Sequence, residues 1–229
     1  MHAVVPFAAE NPKTRLAGVL EPAERERLAR AMLVDVLEAI ERAGATPTVL
    51  TTQPLEIETV VDLEVEVEVE GEADIPTIVD DRPLTAAVNG VLEERVVESG
   101  QEVAVVMADL ALVTPDTLER LFSTDGDVVI APGRGGGTNA LVVRHPEFRV
   151  DYHGASYLDH RNRAAAIDAT LETIDSFRLS TDIDEPADLV EVLLHTDGRA
   201  RRVLEALGLE LSISEGRVGV GRSETTGWS

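Results

Sequence analysis

The sequence predicts a single α/β domain, with a mixed, mostly parallel sheet sandwiched by helices. Three observations carry that reading. Short apolar runs alternate with stretches of helical periodicity along most of the chain. One run, EVAVVM at 102–107, is continuously apolar, as strands buried on both faces are. The 229 residues, 44% of them hydrophobic, suffice for one sizeable core.

Taken in order, HAVVP at 2–6 reads as a short buried strand, followed by the loop AAENPKTRL. A helix follows, with Pro22 suited to its first turn and Leu28, Met32, Leu33, Val36, Leu37 and Ile40 at helical spacing. Gly44 is the expected stop, and PTVLT at 47–51 the second strand. Residues 61–70, VDLEVEVEVE, alternate strictly and are expected to form a half-buried strand with a solvated glutamate face. A helix is expected over roughly 84–98, then the strand at 102–107. Thr114 and Pro115 fit the N-cap and first turn of another helix. DVVIA at 127–131 is the next strand, and the glycine loop 133–137 leads into the strand TNALVV. Residues 156–171 are expected to be helical and SFRLS at 176–180 extended; TDIDEPADL opens a C-terminal helix. Residues 208–219 suggest a hairpin or an edge strand. The expected domain is 1–221, with a loose tail at 222–229.

Composition narrows function. With 43 acidic and 20 basic residues the formal net charge is -23, which disfavours nucleic acid and anionic lipid as partners. Nineteen of the basic residues are arginine; Lys13 is the one lysine. Acid-rich, lysine-poor chains suit concentrated salt, where self-repulsion is screened. The absence of cysteine excludes disulfides, thiolate metal sites and thiol catalysis. No signal-peptide pattern or membrane-length apolar run occurs, so a cytoplasmic protein is expected.

Ligands of open α/β sheets bind beyond the carboxyl ends of the strands, and three segments fall there. Asp109, directly after the apolar strand, suits a Mg²⁺-holding carboxylate or an ordinary turn. Asp182 and Asp184, two apart in TDID, suit a divalent metal, although Asp184 could instead cap a helix. GRGGGTNA at 133–140 lets a ligand approach backbone amides, or is a plain hairpin. It lacks the P-loop lysine and is followed by a strand, so it is neither a Walker motif nor a dinucleotide fingerprint. Upstream, Lys13 and Arg15 in NPKTRL offer a compact charge and a fork for phosphate oxygens. The five histidines show no zinc spacing; His153 and His160 read as loop or surface residues.

In chain order, VVPFAAENPKTRLAGVLEPAERERLARAML, MADLALVTPDTL, GGGTNAL, HGASYLDHRNRA and STDIDEPADL resemble the 2-phospho-L-lactate guanylyltransferase family of coenzyme F-420 biosynthesis, in its archaeal branch. The resemblance spans about residues 2–195. It implies a compact nucleotidyltransferase (Rossmann-like) fold, GTP and 2-phospho-L-lactate as substrates, Mg²⁺ as cofactor and a homodimer. It further implies that Asp109, Asp182 and Asp184 carry the metal and that Lys13, with Arg15, meets phosphate. Thr138 and Gly154 would present amides to the acceptor's carboxylate, Ser156 would contact its phosphate, and Asn139 would shape the site. Two departures stand out. Phe7 and Ala8 occupy the region where family members usually carry a second lysine, and Gly154-Ala155-Ser156-Tyr157 replaces the bacterial GPGS. Phosphoenolpyruvate, 3-phosphoglycerate or a sugar phosphate as acceptor, and a non-catalytic nucleotide-binding protein, are the competing readings.

Overall fold

The computed structural model describes residues 1–8, 10–55, 75–214 and 216–223. The alternating segment 61–70 therefore lies outside the described residues. A seven-stranded sheet forms the centre. In chain order its strands are β1 (His2–Phe7), β2 (Thr46–Thr51), β3 (Thr77–Val79), β4 (Val103–Val106), β5 (Val128–Pro132), β6 (Thr138–Val143) and β7 (Leu171–Thr173). They lie in the order β3-β2-β1-β4-β6-β5-β7. All neighbours run parallel except β6, which is antiparallel to both β4 and β5. The glycine loop explains this exception: 133–137 turns β5 straight back into β6, a hairpin without a crossover helix.

Each central strand sends alternate side chains to opposite faces. In β4, Ala104 and Val106 enter one core while Val103 and Val105 enter the other. The first core is closed by α1 (Pro22–Arg42), α3 (Pro115–Ser123), α5 (Phe177–Ser180), α6 (Asp188–His195) and α7 (Arg199–Ala206). The second is closed by α2 (Leu84–Leu92), which continues as a π-turn through Glu98, and by α4 (Ser156–Ala166). The expected sandwich is the observed one.

Local chemistry sets the boundaries. Glu21 and Glu24 form a reciprocal capping box at the start of α1, with Pro22 at N1. Thr114 accepts from the Thr117 amide at the start of α3. Gly44, with φ of 79°, takes the left-handed position after α1. Two expectations need correction. The helix from Ser156 ends at Ala166, and Leu171–Thr173 is a strand instead. SFRLS is one helical turn, because the Ser176 hydroxyl caps the Leu179 amide and the Ser180 amide bonds to the Ser176 carbonyl. Only Leu179 of that turn is fully buried, so inward packing needs one residue rather than an alternating face.

The C-terminal segment forms a separate hairpin, β8 (Leu209–Ser214) and β9 (Arg217–Arg222). Arg222 lies inside β9, one residue beyond the expected domain limit. Its guanidinium bonds to the Glu24 carboxylate, to the Val19 carbonyl at 3.1 Å and to the Leu207 carbonyl at 3.1 Å.

Candidate active site

A cleft of about 520 Å³ opens at the carboxyl ends of β1 to β4. Its lining includes Phe7 at the end of β1, Thr51 at the end of β2, Asp80 after β3 and Asp109 after β4. The volume falls in the range of small-molecule sites, and the position is the one expected of an open α/β sheet.

Lys13 is the hub of the cleft. The loop that presents it is bent through two left-handed residues, Asn11 (φ 41°) and Lys13 (φ 54°). A non-glycine residue held there costs of order 1–3 kcal/mol, so the surroundings must enforce it. They do so through Arg25, buried at the start of α1. Its guanidinium donates to the Pro12 carbonyl at 3.2 Å, the Leu20 carbonyl at 3.3 Å and the Asn11 side-chain oxygen at 3.0 Å. Lys13 Nζ then reaches Asp109 Oδ2 at 2.7 Å and Asp184 Oδ1 at 2.8 Å. Arg15, largely exposed, donates to Asp184 Oδ2 at 3.1 Å.

Burial works against the charge on Lys13. The negative charge of Asp109 and the hydrogen bonds that Lys13 donates to Asp109 and Asp184 outweigh it and hold the ammonium above its ordinary pKa. Asp109 is pushed up by burial; Lys13 opposes this, and the charges of Asp182 and Asp184 add to it. Asp109 Oδ1 is enclosed and has no hydrogen-bond partner among the described residues.

The main chain brings the second acidic segment to the first. The Ile183 amide donates to the Asp109 carbonyl at 3.2 Å, laying 182–184 alongside 109. Asp182 Oδ1 accepts from Asn139 Nδ2 at 3.1 Å, and the same amide donates to the Leu179 carbonyl at 3.0 Å. Asp184 does not cap a helix: its carboxylate turns to Lys13 and Arg15, while Asp188 accepts from the amides of Asp184 and Glu185. Gly133 makes room for Asn139, since a Cβ at 133 would sit 2.5 Å from Asn139 Oδ1.

Lys13, Arg15, Asp109 and Asp184 are thus joined directly, and Asp182 and Asn139 stand beside them. Among the described residues no three carboxylate or imidazole groups cluster tightly enough to cage a metal unaided. Thr138, Asn139, Gly154 and Ser156 lie outside the cleft lining. Thr138 and Ser156 are buried, each 4% exposed, whereas Gly154 is exposed with φ of 43°. The glycine loop and the start of α4 touch, as the Tyr157 amide donates to the Gly136 carbonyl at 3.2 Å.

His160, expected at the surface, is fully buried, and the expectation is corrected. Its Nε2 accepts from the Asp151 amide at 2.8 Å, so the proton sits on Nδ1, which donates to Thr138 Oγ1 at 2.9 Å. Phe148 and Tyr152 enclose the ring. Burial, with Arg163 nearby and only partly offset by Asp151 and Asp159, lowers its pKa to about 4. His160 therefore ties the start of β6 to the loop carrying Gly154. Its place in α4, four residues after Ser156, was the available signal: it falls on the inward face. His153 is exposed and pairs with Asp151. Arg25 was also missed, since nothing in its residue type separates it from the exposed arginines of α1.

Comparison with known proteins places the chain in a family. The family model described as "Guanylyl transferase CofC like" matches residues 1–223. Curated relatives named 2-phospho-L-lactate guanylyltransferase include those of Haloterrigena turkmenica, 62% identical over 98% of this chain and 98% of the relative, and Natrialba magadii, 58% identical over 98% and 100%. A third, from Methanoregula boonei, is 43% identical over 96% of this chain and 95% of its own. Among solved structures, a protein of Desulfovibrio desulfuricans assigned as a nucleotide-diphospho-sugar transferase superposes with a TM-score of 0.72 at 13% identity, covering 90% of this chain and 95% of that one. A nucleotidyl transferase from Methanothermobacter gives 0.60 at 18% identity, covering 90% and 98%. The structural likenesses support the fold alone; the family model and the curated relatives, spanning nearly the whole chain, establish that this protein belongs to the CofC-like guanylyl transferase family.

Proposed function

We propose that this protein transfers the guanylyl group of GTP to (2S)-2-phospholactate, releasing pyrophosphate and forming lactyl-2-diphospho-5′-guanosine. The observation that carries the reading is the Lys13–Asp109–Asp184 cluster at the head of a nucleotide-sized cleft, in a chain 50–62% identical to several relatives of that name. A phosphate oxygen of the acceptor attacks the α-phosphorus of GTP. The new P–O bond forms as the bond to the β-phosphate oxygen breaks, and pyrophosphate leaves with that electron pair. The attacking oxygen is already ionised at neutral pH, so positioning and charge neutralisation do the work. Lys13 and Arg15 hold phosphate oxygens. Thr138 and Gly154 present main-chain amides to the acceptor's carboxylate, and Ser156 meets its phosphate.

Two anions meet on a chain of formal charge -23, a conflict that a bound Mg²⁺ would relieve. The residues fit it: Asp109 Oδ1 is a buried oxygen without a partner, and Asp182 and Asp184 are hard oxygen donors beside it. Mg²⁺ prefers one or two carboxylates plus substrate phosphates, so a site completed only by nucleotide suits it. When bound, it would neutralise phosphate charge in the transition state. The protein acts in the cytoplasm, as a homodimer, in high salt.

The test is a mass-spectrometric screen of GTP and ATP against 2-phospholactate, phosphoenolpyruvate and 3-phosphoglycerate, with Mg²⁺ or with EDTA, in molar KCl. The expected result is the guanylylated lactyl product, dependent on Mg²⁺. Product with another acceptor alone would overturn the acceptor assignment, and no pyrophosphate release with any would overturn catalysis. Light scattering on the eluting protein checks the dimer.

A further inference from the structure

The cleft extends from the Lys13 cluster, at the ends of β1 and β4, across β2 to β3. Two strand spacings, about 10 Å, separate β1 from β3, a span suited to a nucleoside reaching from its phosphate to its base. The character of the lining changes along the way. Leu50, Leu84 and Ala87 supply apolar walls, and Thr51, Asp80 and Arg82 are among the polar groups at that end, with Thr52 beside them.

Those three groups are held in place. The Asp80 amide donates to the Thr51 carbonyl at 2.8 Å, fixing the residue to the end of β2. Its carboxylate is mostly enclosed and takes a two-point hydrogen bond from Arg82, with Nε at 2.9 Å from Oδ1 and at 3.1 Å from Oδ2, and Nη2 on Oδ2. Arg82 in turn lies against Gly90 of α2, its Nη2 2.5 Å from where a Cβ at 90 would stand, so in this placement the guanidinium occupies the room left by the missing side chain. Thr51 is 2% exposed, lines the cleft, and its Oγ1 has no partner among the described residues. A buried hydroxyl without a partner is costly unless a ligand completes it.

A carboxylate beside a guanidinium makes a poor phosphate site, because Asp80 neutralises Arg82. It is a good match for one edge of one base. Guanine presents two adjacent donors, N1–H and the 2-amino group, next to an acceptor, O6. Adenine presents an acceptor at N1 and a donor at the 6-amino group, which would face the carboxylate and the guanidinium with the wrong sign. We propose that Asp80 and Arg82 are the guanine-reading residues of the cleft: the Asp80 carboxylate accepts from N1–H and the 2-amino group, Arg82 donates to O6, and Thr51 Oγ1 completes the polar set. The proposal rests on the guanylyl-transfer reading and adds the residues that select the base.

Equilibrium binding measured without acceptor separates this proposal from the reading it rests on. Wild-type protein is titrated with GTP, ITP, XTP and ATP in a calorimeter. GTP is expected to bind at least about 10-fold tighter than ITP, which lacks the 2-amino group, and at least about 10²-fold tighter than ATP, on the scale of hydrogen bonds to charged groups. Asp80→Asn offers one acceptor and one donor. It should lose the preference for GTP over ITP and gain affinity for XTP, whose 2-carbonyl takes the amide N–H. If wild type binds none of the four, the functional reading itself falls. If it binds all four alike, or if Asp80→Asn leaves the GTP:ITP:XTP ratios unmoved, the base assignment falls and the phosphate site stands. Should Asp80→Asn fail to fold by circular dichroism, Arg82→Gln carries the test: the GTP:ATP ratio must drop at least about 10-fold, and an unchanged ratio refutes the assignment.

Discussion

His160 offers a quantitative test of how the Gly154 loop is held. The ring must stay neutral for its Nε2 to accept from the Asp151 amide, and burial lowers its pKa from 6.5 to about 4. A histidine whose folded pKa is depressed contributes stability that is fully present above the unfolded value and is lost as pH falls towards the folded one. The interval from 6.5 to about 4, at 1.36 kcal/mol per pH unit, gives about 3 kcal/mol in all, of which about 2 kcal/mol is gone by pH 5. The perturbation is His160→Gln, which keeps an acceptor within reach of Asp151 and cannot be protonated there. Urea unfolding of both proteins at steps between pH 7.5 and 4.5, at fixed salt, gives two stability curves. Protonation of the 43 acidic residues contributes to both and cancels in their difference. That difference should move by about 2 kcal/mol between pH 7.5 and 5, with wild type losing more. Parallel curves would show that His160 is not the group that acid attacks, and would refute the hydrogen-bond assignment built on its neutrality.

Three further outcomes are expected. Asp109→Asn should lower kcat at least about 10²-fold in a pyrophosphate-release assay, the scale of losing one transition-state electrostatic contact; near-normal turnover would remove Asp109 from the chemistry. Gly133→Ala drives a methyl group to 2.5 Å from Asn139 Oδ1, so it should cost about 1–3 kcal/mol and reduce activity by releasing Asp182. Gly135→Ala, which meets nothing within 4 Å, is the control and should melt like wild type. Asp35→Ala removes a buried carboxylate that accepts from the Arg199 and Ala200 amides at 2.9 Å each, leaving Arg199 short of a partner. The expected loss is about 3 kcal/mol in chemical denaturation, with little change in KM.

Much of the architecture was legible because it rests on local chemistry. Pro22, Gly44, Thr114 and Pro115 mark their own boundaries through missing donors, positive φ and side-chain caps. The apolar run at 103–106 needs burial on both faces whatever surrounds it. Asp109 could be suspected from its place beyond a strand end, Asp184 from its spacing to Asp182, and Lys13 as the one lysine, yet their meeting depends on long-range pairing between partners 96 and 171 positions apart in the chain. SFRLS misled because a four-residue turn carries too little pattern to separate an extended segment from one helical turn. His160 misled because polar residue type suggests exposure, while its two ring nitrogens find partners inside. Nothing in the residue types of Asp80 and Arg82 singles them out in the sequence. What distinguishes them is Gly90, eight positions on, whose missing side chain has meaning only once α2 is packed against them.

The Arg222 contacts join the two far ends of the polypeptide. The last β-hairpin fastens onto Glu24 and Val19, and so onto the same turn of helix from which Arg25 grips the lysine-bearing loop. Shortening the protein before residue 222, or replacing Arg222 with a neutral side chain, would slacken the loop that carries Lys13 from a distance. Expression tags are therefore safer when a spacer separates them from that arginine, and a preparation with a clipped carboxyl terminus would look like an affinity defect rather than a folding one.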